Sequence, residues 1–162
     1  MKLKVLSWNI WYDGHFDEIS KFLNEFDADI IGLQEVVPND DSRDVISFLT
    51  KLGYQHIFAP ALKLEDERIV GNAVFTRHGI LASKVHHLSE AHDRNAVRID
   101  VKLGDRLLHI FSVHLLHTHQ RPSEIQALQI ENLIKALPSA DTILMGDFNA
   151  TPDSLIIQKM QG

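Results

Sequence analysis

The stretch TILMGDFNATP, residues 142–152, sets an apolar run against an abrupt polar ending. Thr142 to Met145 read as a buried strand. Gly146 breaks the run, Asp147 and Asn149 follow two positions apart, and Thr151-Pro152 opens a short helix. A carboxylate and a carboxamide at the end of a strand can be plain turn formers. They can also be half of a ligand site, because sites in α/β folds open beyond the carboxyl ends of strands. What surrounds them decides between the two.

Upstream, residues 122–137 have helical periodicity. Pro122 stands in the first turn, Ile130, Leu133, Ile134 and Leu137 line one face, and Pro138 ends the helix. Before that come four closely spaced strands: GNAVFTR (71–77), ILASKVHHL (80–88), NAVRIDVKL (95–103) and RLLHIFSVHL (106–115). Gly104-Asp105 between the last two is a two-residue hairpin turn, so these strands are read as antiparallel. The first third alternates instead. KLKVLSWNI (2–10) is a strand, and residues 16–27 are a helix with Ile19, Phe22, Leu23 and Phe26 as its stripe. DIIGLQEV (29–36) is a second strand. A helix over 42–52 takes Ser42 as its N-cap and Gly53 as its stop, and YQHIFAP (54–60) is a third strand. Helices towards both ends and hairpins in the middle do not fit a purely parallel sheet. They predict a mixed α/β sandwich, two sheets packed together with helices outside.

Length and composition bound the function. A chain of 162 residues reads as one domain, 1–162, long enough to bury a core. Sixteen basic against 22 acidic side chains give a formal charge of −6, which argues against coating nucleic acid through bulk charge. With no cysteine, disulfides, thiolate metal sites and cysteine nucleophiles are excluded. The opening MKLKVLSWNIW is too short and too polar for a signal peptide, and no apolar run reaches the roughly 18 residues of a membrane span. A cytoplasmic monomer is the expectation.

Four strands end in polar groups that their apolar stretches do not explain. Asn9 follows KVLSW, Glu35 follows IIGLQ, His114 follows IFSV, and Asp147 and Asn149 follow TILMG. Each alone has an ordinary use: a turn cap, a rim ion pair, a satisfied core histidine. Together, a Glu and an Asp without soft ligands suit a hard cation such as Mg²⁺. Neutral Asn and His donors suit phosphate oxygens, and the set is what stabilising charge on a phosphoryl group requires.

SWNIW, LQEV, GNAVFTR, RNAVRIDV, FSVHL and GDFNATP, in this order, resemble the endonuclease/exonuclease/phosphatase superfamily, the DNase I-like fold. The resemblance runs from residue 5 to about 154. It implies a four-layer αββα sandwich with two mixed β-sheets, and hydrolysis of phosphate esters by attack of an activated water on phosphorus, dependent on Mg²⁺ with Mn²⁺ as a substitute. By motif, Glu35 would be the principal metal ligand, and Asn9 would support metal and phosphate. Asp147 would orient or deprotonate the water, Asn149 would hold a phosphate oxygen, and His114 would donate to the phosphate. Arg98 and Asn72 are weaker candidates for substrate contact. The substrate would be a nucleic acid, a nucleotide, a lipid headgroup or an inositol phosphate. Trp11, Tyr12 and Phe58 could stack on a base, though packing is their commoner use.

The family's closing Ser-Asp-His segment has no counterpart here, since no Asp-His dipeptide occurs in the chain. The expectation is therefore a C-terminally truncated domain with its last strands missing. The alternative is a non-catalytic or degenerate binding module that lacks the Asp-His pair. A third reading, a zinc hydrolase using His114, His117 and His119 of HLLHTH, lacks the Asp-His that such a motif requires. His86-His87 reads as a strand-surface pair.

Overall fold

The computed structural model describes residues 2–38, 40–119 and 121–161. In chain order its elements are β1 (Val5–Asn9), α1 (Phe16–Phe26), β2 (Ile30–Val36), α2 (Val45–Lys51), β3 (Gln55–Lys63), β4 (Ile69–Thr76), β5 (Ile80–His87), a short 3-10 turn (Ala91–Asp93), β6 (Asn95–Leu103), β7 (Arg106–His114), α3 (Glu124–Ala136), β8 (Thr142–Asp147) and α4 (Leu155–Gln161). The strands form two sheets, ordered β1-β2-β4-β3 and β5-β6-β7-β8.

The two sheets follow one plan. Each has two antiparallel pairings and one parallel pairing at an edge: β1 with β2, and β7 with β8. Parallel neighbours need a crossover, and α1 and α3 supply it. Among the described residues β1 and β8 pair on one side only, and these two edges lie against each other.

The alternation of β2 explains its unbroken apolar run. Ile31 and Leu33 pack with Ile19 and Leu23 of α1 and Val45 and Leu49 of α2, forming one outer core. Ile30 faces the other sheet and joins Val74, Val97, Ile99, Ile110 and Met145 in the layer between them. Gly32 faces Met145 so closely that a Cβ would meet its side chain. A second outer core sets Phe111 and Val113 of β7 against Ile130 and Leu133 of α3, with Ile156 and Met160 of α4 alongside. A strand buried on both faces needs no polar positions. The result is the expected α/β four-layer αββα sandwich.

Three local details differ from the sequence reading. The cap of α2 is Asp44, which accepts from the Ser47 N–H at 2.9 Å, while Ser42 is held by Asp40 in the preceding loop. The buried face of α3 is Gln126, Gln129, Ile130 and Leu133, and Ile134 is exposed. Two glutamines extend the buried stripe because their amides are satisfied by the chain around them. Gln126 donates to the carbonyls of Leu116, Phe148 and Asn149 at 2.8, 3.3 and 3.2 Å, and Gln129 accepts from the Leu116 N–H at 2.9 Å. Phe22 is partly exposed, yet its ring meets Trp8 edge-on and stacks on Phe26.

Candidate active site

The ends of β1, β2, β7 and β8 and the start of β6 meet at one end of the sandwich. Two irregularities aim the acids there. In β2, Leu33 pairs with Ala73 and Val36 with Gly71, so β2 carries one extra residue. Glu35 lies in this bulge with φ of 61°, a left-handed backbone that turns its side chain out of the strand's alternation. In β8, Gly146 has φ of 147°, and a Cβ there would fall on the Val113 carbonyl of β7. Only glycine allows the chain to bend so close to its parallel neighbour, and the bend delivers Asp147.

Asn9 holds the two acids together. Its Nδ2 donates to Glu35 Oε1 at 2.9 Å and to Asp147 Oδ2 at 3.0 Å. Its Oδ1 accepts from the Trp11 N–H at 3.0 Å. The Asn9 nitrogen, not its oxygen, therefore reaches the place where a metal was expected. The remaining carboxylate oxygens take backbone donors, the Tyr12 N–H on Glu35 Oε2 at 3.2 Å and the Asn149 N–H on Asp147 Oδ1 at 2.9 Å. The β1–α1 loop that supplies the first of these is clamped by Arg43, which donates to the carbonyls of Trp11 and Gly14.

His114, at the end of β7, is 7% exposed. Its Nε2 lies 3.7 Å from Asp147 Oδ2, too far for a hydrogen bond. Burial, with the positive charge of Arg94 beside it, pushes its pKa down to about 4, so it is neutral at pH 7. Arg94 is the arginine of this site. Burial lowers its pKa, and the nearby charges of Glu35 and Asp147 act the other way. Its Nε is buried with no hydrogen-bond partner among the described residues. A cavity of about 150 Å³ opens here, walled by Arg94, His114, Glu35, Asn72 and Tyr12.

The sequence reading chose Arg98 from RNAVRIDV, and the structure places it elsewhere. Four residues along an extended strand are about 13 Å. Arg98 lies that far along the chain from Arg94, inside β6, and forks onto Asp100, with Nε and Nη2 both 2.7 Å from its oxygens, beside His109. Arg94 stands before the strand begins, where the site is. The signal for it was the position next to a strand start antiparallel to FSVHL. Asn72 lines the cavity, but its Nδ2 is already used by the Asn95 carbonyls of backbone and side chain at 3.0 and 3.1 Å. Asn149 has φ of 49° and lies beside His117, whose Nδ1 is 2.8 Å from its Oδ1. His117 in turn bonds His119. Phe58 packs against the outer core of the first sheet, Tyr12 lines the cavity, and Trp11 is 58% exposed.

The donor set fits a hard divalent ion. No three His, Cys, Asp or Glu side chains form a metal-holding group among the described residues. Two carboxylates, Glu35 and Asp147, are held within reach of one amide nitrogen. Mg²⁺ is commonly held by one or two carboxylates, with water and substrate phosphate completing its shell.

A fold with two packed mixed sheets and an acid-amide site at its strand ends defines a class, and the sequence places the chain within it. The sequence model of the Endonuclease/Exonuclease/phosphatase family matches residues 6–162, and the chain belongs to that family. A search of curated protein sequences finds no match. Among solved structures, ANGEL2, a 2',3'-cyclic phosphatase, is similar with a TM-score of 0.80 and 20% identity, over 98% of this chain and 56% of that one. The human Nocturnin catalytic domain with bound sulfate is similar at 0.76 and 24%, over 96% and 68%. D. rerio TDP2 complexed with a single-strand DNA product is similar at 0.74 and 19%, over 99% and 65%. At these identities the likeness is one of fold, and this chain spans 56% of the length of the ANGEL2 structure. No helix among the described residues is long and apolar enough to cross a membrane.

Proposed function

We propose that this site hydrolyses phosphate esters by attack of water on phosphorus. The observation that carries the reading is the pairing of Glu35 and Asp147 on the Asn9 amide, beside a half-buried Arg94 whose buried Nε has no partner among the described residues. A buried unsatisfied donor costs free energy, and a phosphate oxygen would satisfy it. Members of the family generally depend on a divalent metal ion. Glu35 would hold Mg²⁺, or Mn²⁺ in its place, with Asp147 adjacent; when bound, the ion supplies positive charge to the phosphoryl oxygens.

The chain's own residues do the rest. Asn9 keeps Glu35 and Asp147 together although their charges repel. Asp147 accepts the proton of the attacking water as the new P–O bond forms. Asn149 donates an amide hydrogen to a phosphate oxygen, and Arg94 offsets the charge that develops there. His114 is neutral and buried, which equips it to donate one N–H and not to act as the acid for the leaving oxygen. The bond to the leaving oxygen breaks, and that oxygen takes its proton from water. The substrate class is a phosphate ester: nucleic acid, nucleotide, lipid headgroup or inositol phosphate. Two of the similar structures hold such chemistry, adenosine-2',3'-vanadate in ANGEL2 and single-strand DNA in TDP2.

The test is hydrolysis of bis(p-nitrophenyl) phosphate, p-nitrophenyl phosphate and short oligonucleotides by the complete natural chain, with Mg²⁺ and with EDTA. Turnover that requires the metal and disappears in Glu35→Gln and Asp147→Asn supports the reading. Turnover that survives both substitutions overturns it. Mg²⁺ binding by calorimetry with no turnover of any ester identifies the binding module instead.

A further inference from the structure

Asn149 is fixed from more directions than a turn former needs. Its backbone N–H is on Asp147 Oδ1 and its backbone carbonyl on Gln126 Nε2. Its side-chain Nδ2 donates to the Leu115 carbonyl at 2.9 Å. A carbonyl accepts only, so this contact fixes which end of the amide is nitrogen. Oδ1 must then be the atom facing His117 Nδ1 at 2.8 Å, and because Oδ1 only accepts, His117 Nδ1 must bear the hydrogen.

That leaves His117 Nε2 as an acceptor in the neutral ring, and His119 Nδ1 lies 3.2 Å from it. The two rings meet edge to face, with centroids 4.5 Å apart. The chain of donors therefore runs one way, His119 Nδ1–H to His117 Nε2, then His117 Nδ1–H to Asn149 Oδ1. His119 selects the tautomer that His117 needs, since the hydrogen on one ring nitrogen is set by the partner of the other. His119 has φ of 51°, a left-handed backbone uncommon for a residue other than glycine.

We propose that His117 is a positioning residue for Asn149, with His119 setting its tautomer, so that the one uncommitted Nδ2–H of Asn149 is held towards the phosphate. This rests on the phosphoesterase reading given above. An Asn149 amide with an unpinned oxygen could rotate away from the Leu115 carbonyl, and its donor would no longer be preorganised. Both histidines are exposed, so the bond adds little to folding stability. Its effect falls on the orientation of the amide.

The experiment compares wild type, His117→Phe, His117→Gln and His119→Ala by two independent readouts. The first is ¹⁵N NMR of the histidine rings and of the Asn149 side-chain amide. The expected result is a hydrogen on His117 Nδ1, and faster hydrogen exchange of the Asn149 amide in His117→Phe. The second is bis(p-nitrophenyl) phosphate hydrolysis with Mg²⁺. His117→Phe is expected to lower kcat by about 10- to 100-fold with KM little changed. His117→Gln, which keeps an N–H for Asn149 Oδ1, is expected to recover most of that loss, and His119→Ala to fall between. A His117 protonated at Nε2 alone, or a Gln variant as inactive as the Phe variant, overturns the proposal; the latter would make His117 a proton carrier. If the wild type hydrolyses no phosphate ester, the phosphoesterase reading fails, and the tautomer and amide exchange still decide whether His117 fixes Asn149.

Discussion

Two clusters in this protein contain an arginine, an aspartate and a histidine, and they treat their polar atoms in opposite ways. On β6 and β7, Arg98 forks onto Asp100 through two bonds of 2.7 Å, and His109 Nδ1 lies 2.7 Å from the same carboxylate. The carboxylate faces its opposite charge, and no side-chain atom of the three is among the buried atoms without a partner. At the end of the same sheet, Arg94 stands near Asp147 and His114 without closing onto them. Its Nε has no partner among the described residues, His114 Nε2 stops 3.7 Å short of Asp147, and a cavity opens against Arg94 and His114. A saturated cluster belongs to the fold. An unsaturated one is where capacity for a bound group would lie, because proteins rarely leave buried donors unpaired.

The largest effect that would break this contrast lies in the acids. Glu35→Gln and Asp147→Asn keep size and hydrogen-bonding shape but remove charge. Each is expected to lower the kcat of phosphate-ester hydrolysis by about 10³-fold, read by steady-state kinetics under saturating Mg²⁺. Arg94→Ala comes next. Loss of one donor aimed at developing charge costs about 10²-fold or more in kcat. The folded protein should lose little stability, since the Nε of this half-buried side chain has no hydrogen-bond partner among the described residues. Urea titration checks that half of the comparison, and a large loss of stability would mean that Arg94 is a structural group like Arg98.

The architecture was legible in the sequence because it rests on periodicity. Alternating halves, hairpins between them and a Gly-Asp turn are local signals, and each element formed within a few residues of its expected place. The polar strand ends were equally legible, as Asn9, Glu35, His114 and Asp147 all stand where an apolar run stops. What periodicity could not supply was the third dimension at those ends. Arg94 and Arg98 differ by standing before the strand and within it, and placing that difference required the antiparallel register of β6 against β7. Gln126 and Gln129 were unreadable for a related reason. A glutamine on a helix face is polar by default, and only partners from distant loops make burial tolerable: the Leu116 and Phe148 carbonyls for Gln126, the Leu116 N–H and the Ser89 hydroxyl for Gln129. The Asn9 amide shows the same limit, since only the folded chain brings it the two accepting carboxylates and the Trp11 N–H that settle which end faces the acids.

Acid pH should separate the two clusters without any substitution at a paired atom. Burial and the Arg94 charge hold His114 at about 4, below the value of 6.5 that an unfolded histidine takes. Between those values the unfolded chain binds a proton and the folded one does not, so stability falls as pH drops from about 6.5 to about 4, by at most about 3 kcal/mol. Asp100 titrates lower. Burial raises its pKa, but the bonds from Arg98 and His109 outweigh burial and hold it below the ordinary carboxylate value. Its contribution is complete above that value, near 3.8, and is lost as pH falls below it. Thermal unfolding across pH should therefore show two separate losses. His114→Asn should flatten the upper one, and Asp100→Asn the lower.

The smallest expected effect on turnover comes from Arg98→Ala, and it is the one that most sharpens the contrast. Removing the guanidinium leaves Asp100, 8% exposed, facing His109 alone. A buried carboxylate that loses its main partner costs about 1–3 kcal/mol, seen as a lower urea midpoint at unchanged slope. The site is about four residues of strand away, and none of its bonds passes through Asp100 or His109, so kcat and KM should stay at their wild-type values. Arg94→Ala and Arg98→Ala would then form a crossed pair, one losing rate and keeping stability, the other the reverse. If Arg98→Ala instead lowers kcat while the midpoint holds, the saturated cluster reaches the chemistry after all. Saturation would then no longer distinguish a structural cluster from a site in this fold.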